Sequence, residues 1–270
     1  LGHAERALVM RPGNRPAALE LRGTLRRALA ETMEEADSRV RMLRLARDDL
    51  TRAVEAHPHL ARAWWNLSEV LRLRGEFDAS LRAAERALAE DAFLEDARQV
   101  YRQLFYTAFE QEQNERAARW CAEGRRRFPH TADLILCRLL ILATVDTIPP
   151  DPGAVAAVAD TVVRNVAPAD SGAWRAYVDM QLAKTFARAG QADSAEAYIG
   201  RAHGGAFQAW LGYDEAHTRL LLGQRDSALV LLAGYLEIQP GRAEYWPRDW
   251  WLRDLWTDPR FRELLGTTAD

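Results

Sequence analysis

A chain of 270 residues that is 48% hydrophobic and 28% charged carries enough apolar side chains to enclose a continuous core. Its net charge of −3, with Lys184 the only lysine among the cations, excludes the dense basic surface that neutralises a nucleic-acid backbone. Leu139 to Val145 is apolar but far shorter than the ~20 residues a bilayer span requires, so no segment is expected to insert into a membrane.

In chain order, Ala4, Ala7, Leu8 and Pro12 read as a trailing helix over residues 1–14, the second half of a helical hairpin whose first half is missing. The chain has no initiator methionine and opens inside a repeat, which reads as a segment cut from a longer polypeptide. A missing signal peptide then says nothing about compartment, which stays open between cytoplasmic and extracytoplasmic.

Residues 15–58 form the next hairpin, and it is long. Pro12 and Pro58 occupy equivalent slots 46 residues apart, and the excess falls in Arg26 to Arg47. Glu35 with Arg39, Asp37 with Arg41 and Asp48 with Arg52 sit at i,i+4, each pair worth a few tenths of a kcal/mol on an exposed helix. The spacing predicts two lengthened helices with a solvated tip, because the two signs alternate and cancel.

Leu50 to Ala92 holds the clearest copy of the repeat: Trp64, Leu67, Leu71, Gly75, Phe77, Ala84, Ala87 and Leu88. The small slots Ala53 and Ala87 lie 34 residues apart, the period of a helix-turn-helix solenoid. Trp64 is expected to be enclosed, and Trp65, about 100° further round an ideal helix, to face a groove. From Arg98 on, Tyr101, Leu104, Ala108, Ala117, Cys121 and Pro129 repeat the same slots. A fourth copy spans Ala132 to Pro168, interrupted by Pro-rich residues 147–153. There Asp151 is placed to cap a helix opened by Pro152, and the loop reads as a rigid turn or else a hinge between halves.

Gly190 and Gly223, 33 residues apart, mark the turns of two further copies. Each is followed by the same phrase, Ala192-Asp193-Ser194-Ala195 and Arg225-Asp226-Ser227-Ala228, whose acid and serine are expected to cap the second helix. The first helix of the fifth copy has two registers, one through Trp174 and Tyr177, the other through Leu182, Ala183 and Phe186. Residues 241–270, with Tyr245, Trp246, Trp250, Trp251, Trp256 and Phe261, read as an aromatic cap over the open face of the last repeat, in preference to a ligand cage. The fold expected is all-α, a right-handed α-solenoid of about six repeats.

Chemistry is sparse. GxGxxG, GxxxxGK[ST], HExxH and GxSxG are all missing, and the six histidines are scattered, with His57-Pro58-His59 on an inter-repeat turn. Acid pairs such as Glu34-Glu35 and Asp48-Asp49 lie on highly charged helices, where carboxylates are normally solvated. No catalytic group, cofactor or metal site is expected. Cys121 and Cys137 lack CxxC spacing and read as small buried apolar residues.

The chain resembles the tetratricopeptide repeat (TPR) family throughout. It is similar in particular to the C-terminal repeat region of bacterial serine/threonine kinases, on Ala18-Leu19-Glu20-Leu21-Arg22-Gly23-Thr24, Leu60-Ala61-Arg62-Ala63-Trp64, Ala118-Arg119-Trp120-Cys121, Gly124-Arg125-Arg126-Arg127-Phe128-Pro129, Arg248-Asp249-Trp250-Trp251 and Asp258-Pro259-Arg260-Phe261. Similar repeats also follow adenylate cyclase and transcriptional regulator domains. The resemblance implies a concave groove lined by the first helix of each repeat: Arg62, Trp65, Glu69, Arg72 and Leu73, then Gln99, Arg102, Tyr106, Phe109 and Glu110. In the last copies it implies Tyr177, Met180, Lys184, Trp210, Tyr213 and His217. The chaperone-binding clamp of the family is unmatched, since Trp65 and Arg102 stand where it needs small or amide groups. The function expected is a non-catalytic scaffold for a partner peptide or protein, the regulatory arm of a larger signalling protein. The alternative is a sensor of a small molecule or cell-wall fragment through the aromatic groove.

Overall fold

The computed structural model describes residues 15–33, 35–91, 93–204 and 211–266. The trailing helix expected at 1–14 and the groove residue Trp210 lie outside the described residues. The helices are α1 (Arg15–Glu31), α2 (Ala36–Ala56), α3 (Ala61–Leu73), α4 (Phe77–Glu90), α5 (Ala97–Glu110), α6 (Asn114–Arg127), α7 (Ala132–Thr144), α8 (Pro152–Arg164), α9 (Ser171–Arg188), α10 (Ala192–Gly204), α11 (Gly212–Leu221), α12 (Arg225–Ile238) and α13 (Pro259–Leu264). There is no strand among the described residues. The chain divides into two compact units between Gln111 and Glu112.

In the first unit α1 packs on α2 and α3 on α4, and the pairs stack in chain order. Leu19, Leu43, Leu50, Val54, Leu67, Val70 and Leu71 form its core, with alanines at 30, 46, 53, 63 and 83 filling the close approaches. Gly23 is one such approach, because a Cβ there would stand 2.6 Å from Leu50 Cγ and 3.2 Å from the Ala46 carbonyl oxygen. The enclosed ion pairs of the long hairpin cross between its helices: Arg22 and Arg26 of α1 both grip the buried Asp49 of α2, at 2.7 and 2.5 Å. Trp65 is the more enclosed of the tryptophan pair, contrary to the expected order. Trp64 is half-buried against the core, its Nε1 donating to the Pro58 carbonyl at 2.8 Å.

Three of the turns inside repeats share one geometry. Gly75, Gly190 and Gly223 all have φ between 71° and 74°, left-handed backbone that glycine enters without a Cβ clash. In each turn the next N–H reaches back to the last turn of the first helix: Glu76 N to Leu71 O, Gln191 N to Phe186 O and Gln224 N to Arg219 O, at 2.8–2.9 Å. This is a Schellman closure. Glu112, with φ 55°, takes left-handed backbone between α5 and α6 without being glycine. The Asp-Ser phrase does not cap as expected. The N-cap of α12 is Gln224, which makes no side-chain cap bond, and Asp226 sits inside the first turn, where its charge meets the positive helix end.

In the second unit α7 packs on α8, α9 on α8 and α10, and α11 on α12. Asp151 caps α8, its Oδ1 accepting from Ala154 N at 3.0 Å behind Pro152. The Pro-rich loop is pinned, since the enclosed Arg188 guanidinium donates to the carbonyls of Leu142, Val145 and Ile148 at 2.7–3.1 Å. The two registers read for the fifth copy merge, because α9 is an 18-residue helix that carries both.

Cys121 of α6 and Cys137 of α7 form a disulfide, which corrects their reading as free apolar residues. Both sites are buried and face each other between consecutive repeats, a juxtaposition set by stacking that sequence spacing does not express. Closing a 16-residue separation is worth about 3 kcal/mol through the unfolded chain. Cys121→Ala with Cys137→Ala is expected to lose about that much in urea denaturation, and oxidised wild type treated with reductant to move the same way. Equal midpoints with and without reductant would show that the bridge contributes nothing.

Beyond Pro240 the cap is built from short 3-10 turns at Pro240–Glu244, Trp246–Arg248 and Trp250–Leu255, followed by α13. Trp246, Leu252, Leu255 and Phe261 are buried against Ala216, Ala228, Leu229, Leu232 and Tyr235 of the last helix pair.

Candidate functional site

The first-helix face of the first unit carries Arg62, Glu69 and Arg72 from α3 and Arg102 and Tyr106 from α5. Arg62 is exposed and lies 3.8 Å from Glu20 of α1. Glu69 lies 3.8 Å from Arg72 and 3.7 Å from Arg27 of α1. Burial pushes the Glu69 carboxyl above its ordinary pKa, against the charges of Arg72, Arg27 and Arg102. Burial likewise raises Glu20, against Arg62. Arg102 is exposed, with its guanidinium 5.5 Å above the half-buried Tyr106 ring. Guanidinium forks and an aromatic surface are thus presented together on a rigid helical face.

Other predicted groove residues of this unit lie beneath that surface. Trp65 and Phe109 are 9% and 4% exposed, and Phe109 stacks on Phe105 with centroids 5.3 Å apart. Leu73 is half-buried against the core, and Gln99 and Glu110 on α5 are half-buried. Behind them Gln103 donates to the hydroxyls of Ser68 and Ser80, both at 3.1 Å, locking α5 onto the preceding pair. Glu20 and Arg27 of α1 complete the face and were missed by sequence reasoning. The sequence signal was available, for they occupy the first-helix positions of the long hairpin, where no groove was assigned.

In the second unit the structure gathers Lys184, from α9, with Tyr213 and His217, from α11, residues predicted from two different repeats. Lys184 is fully buried and donates to Asp214 Oδ1 at 2.7 Å, where Gln181 Nε2 also donates at 2.9 Å. The ring of Trp251, from the cap, lies 4.2 Å from Lys184 Nζ and stacks on His217 at 4.9 Å and on Tyr213 at 5.7 Å. The Tyr213 hydroxyl donates to Asp249. Burial holds the Lys184 ammonium below its ordinary pKa, opposed by Asp214 and Asp249. It holds His217 well below its own, helped by the Lys184 and Arg188 charges. Burial and the two neighbouring cations thus favour the uncharged imidazole where His217 stacks on the indole. Met180 is buried in this region, and Tyr177 packs edge-on against Trp174 at 5.9 Å. Gln181, Asp214, Asp249 and Trp251 are the partners that sequence reasoning missed. The cluster joins the cap to α9 and α11, and its charges answer one another within the protein.

His59 pairs with Glu90 at 2.7 Å, and no group of three His, Cys, Asp or Glu among the described residues could hold a metal ion. Nor is any described helix long and apolar enough to cross a membrane. No protein-family model and no curated protein matches the sequence. Among solved structures, the chain is similar over 99% of its length to 90% of a tetratricopeptide repeat protein from Parabacteroides merdae ATCC 43184, at 14% identity and a TM-score of 0.59. The fold is that of TPR proteins. YrrB, described as a TPR protein with an unusual peptide-binding site, matches over 71% of this chain and 92% of its own at 19% identity and a TM-score of 0.44. A thermophilic TPR protein of Thermus thermophilus matches over 76% of this chain and 99% of its own at 20% identity and a TM-score of 0.48.

Proposed function

We propose that this protein is a non-catalytic interaction scaffold that binds an extended peptide segment of a partner on the first-helix face of its first unit. We assign it, from the resemblance of its repeats, to the regulatory arm of a larger signalling protein such as a bacterial serine/threonine kinase. The observation that carries the reading is the exposed Arg102 guanidinium over Tyr106, beside Glu69 and the half-exposed Arg72. An extended peptide offers carbonyls and carboxylates to guanidinium forks, and apolar side chains to the ring. The Lys184 cluster supports this reading over the sensor alternative, because its ammonium and carboxylates are already matched to each other.

Arg102→Glu and Tyr106→Ala are expected each to weaken peptide capture by about 1–2 kcal/mol while leaving far-UV circular dichroism unchanged. The check is a display library of peptides selected on the wild-type chain, then titrated against both variants. Should the double variant hold every selected peptide, while charge reversal in Arg26 to Arg47 abolishes capture, the long hairpin is the binding element and the face is not.

A further inference from the structure

On the first-helix face of the first unit, Arg62, Arg72 and Arg102 keep their guanidinium N–H groups unspent. Arg62 stands 3.8 Å from Glu20 and Arg72 3.8 Å from Glu69, close enough to feel each charge and too far to donate to it. Arg102 meets no carboxylate among the described residues, and lies 5.5 Å from the centroid of the Tyr106 ring. Other arginines of the unit are bonded: Arg22 and Arg26 donate to Asp49, and Arg74 to Glu76, at 2.5–2.8 Å. The cations are also the outer layer. The Arg62 and Arg72 side chains are 64% and 38% exposed, against 17% for both Glu20 and Glu69, so a partner meets guanidinium first.

Three first helices bring these charges together. Gln103 of α5 donates to Ser68 of α3 at 3.1 Å, so these two helices, which run the same way, meet at that level. Glu69 follows Ser68 and Arg102 precedes Gln103. Opposite rotations of about 100° from a shared contact between parallel helices bring both residues to the same side of the seam. Arg27 of α1 lies 3.7 Å from Glu69 and donates to Glu31 at 2.6 Å. Arg27, Arg72 and Arg102 therefore share one half-buried carboxylate without a hydrogen bond to it, on a chain whose net charge is −3.

Resting on the peptide-binding reading of this face, we propose that it selects an acidic segment, an extended stretch of partner chain whose internal Asp and Glu side chains take the forks of Arg62, Arg72 and Arg102. A carboxylate matches the fork and supplies the missing charge together. Backbone carbonyls would use the N–H groups and leave the charge uncompensated, and a basic side chain would have to pass the arginines to reach Glu20 or Glu69. Arg62 and Arg72 are separated by about 15 Å along the α3 axis, so one terminal carboxylate cannot serve both, whereas successive side chains can. Glu69 is then the competitor of the incoming acid, because it sits in the field of the same arginines.

The test selects peptides on the full chain from a random library displayed with fused C-termini. A selected acidic peptide, amidated, is then titrated by fluorescence anisotropy at constant ionic strength beside its Asn/Gln and Lys counterparts. The acidic peptide is expected to bind about tenfold or more tighter than the Asn/Gln form, and to lose about tenfold with Arg72→Gln or Arg102→Gln, as loss of charged hydrogen bonds implies. Glu69→Gln is expected to tighten it a few-fold by removing the competing carboxylate, where a purely structural Glu69 would loosen it. Selected peptides without acidic excess that are still weakened by Arg102→Gln and Tyr106→Ala leave the peptide-binding face standing and overturn its acidic preference alone. Acidic peptides unmoved by Arg72→Gln and Arg102→Gln overturn the face and the preference together. Weaker binding to Glu69→Gln, a tighter Lys peptide, or full displacement of the acidic peptide by duplex DNA at matched ionic strength each overturns the proposal.

Discussion

Replacing Trp246 with alanine is expected to remove about 3–5 kcal/mol of stability and to open the chain from its C-terminal end. The ring is fully buried, with Phe261 and Tyr235 each 6.1 Å away and Tyr213 at 6.4 Å between centroids. No smaller side chain fills that space without leaving a cavity. In a repeat array each pair is stabilised by its own helices and its neighbours, so the last pair loses its only C-terminal neighbour when the cap loosens. Deleting residues 241–270 goes further, uncovering Ala216, Ala228, Leu232 and Tyr235 together, an apolar face that promotes self-association. Trp256 is the internal control: it is 39% exposed, and Trp256→Ala is expected to cost about 1 kcal/mol or less. Hydrogen exchange in Trp246→Ala should show α11 and α12 losing protection before α7 and α8. A truncated chain that stays monomeric and melts like the full length would reassign these tryptophans to ligand binding.

Repeating small and large slots made the helix pairs legible because they express a local requirement, the close approach of two helices joined by a short turn. Gly75, Gly190 and Gly223 were legible for the same reason, since left-handed backbone selects glycine. Asp151 before Pro152 was readable as a cap because both residues act within one turn. What escaped was set by stacking between repeats. Cys121 and Cys137 were each assigned to a buried slot, but that those slots face each other depends on how α6 meets α7. Lys184 was placed on the groove from its register. That Asp214, 30 residues on, takes its charge inside the protein follows from α9 packing on α11. Asp193 and Asp226 misled in the other direction, as their turn-like composition suggested caps at positions that the helices had already passed. Glu112 shows the limit of the glycine signal, because its left-handed backbone carries no marker in the sequence.

Lys184→Met is expected to destabilise the fold by about 3–5 kcal/mol, because it leaves the Asp214 carboxylate buried without its ammonium. Gln181 alone would then hold that carboxylate. The same substitution removes the cation above Trp251, so part of the loss should appear as loosening of the cap. Lys184→Met with Asp214→Leu is expected to recover much of the loss, since a buried pair removed together costs far less than one partner stranded. Recovery stops short of the wild type because Gln181 loses its acceptor, worth about 1–3 kcal/mol when buried. The pH dependence has a definite sign. With its folded pKa below the unfolded 10.5, Lys184 binds its proton more weakly in the native state, so wild-type stability rises with pH between those two values. That rise falls away in Lys184→Met. Denaturant midpoints for the four proteins of this cycle, at neutral and alkaline pH, decide the matter. If Lys184→Met keeps wild-type stability yet loses a bound partner, the ammonium belongs to an open groove, and the buried Lys184–Asp214 pair is not what holds the cap to α9 and α11.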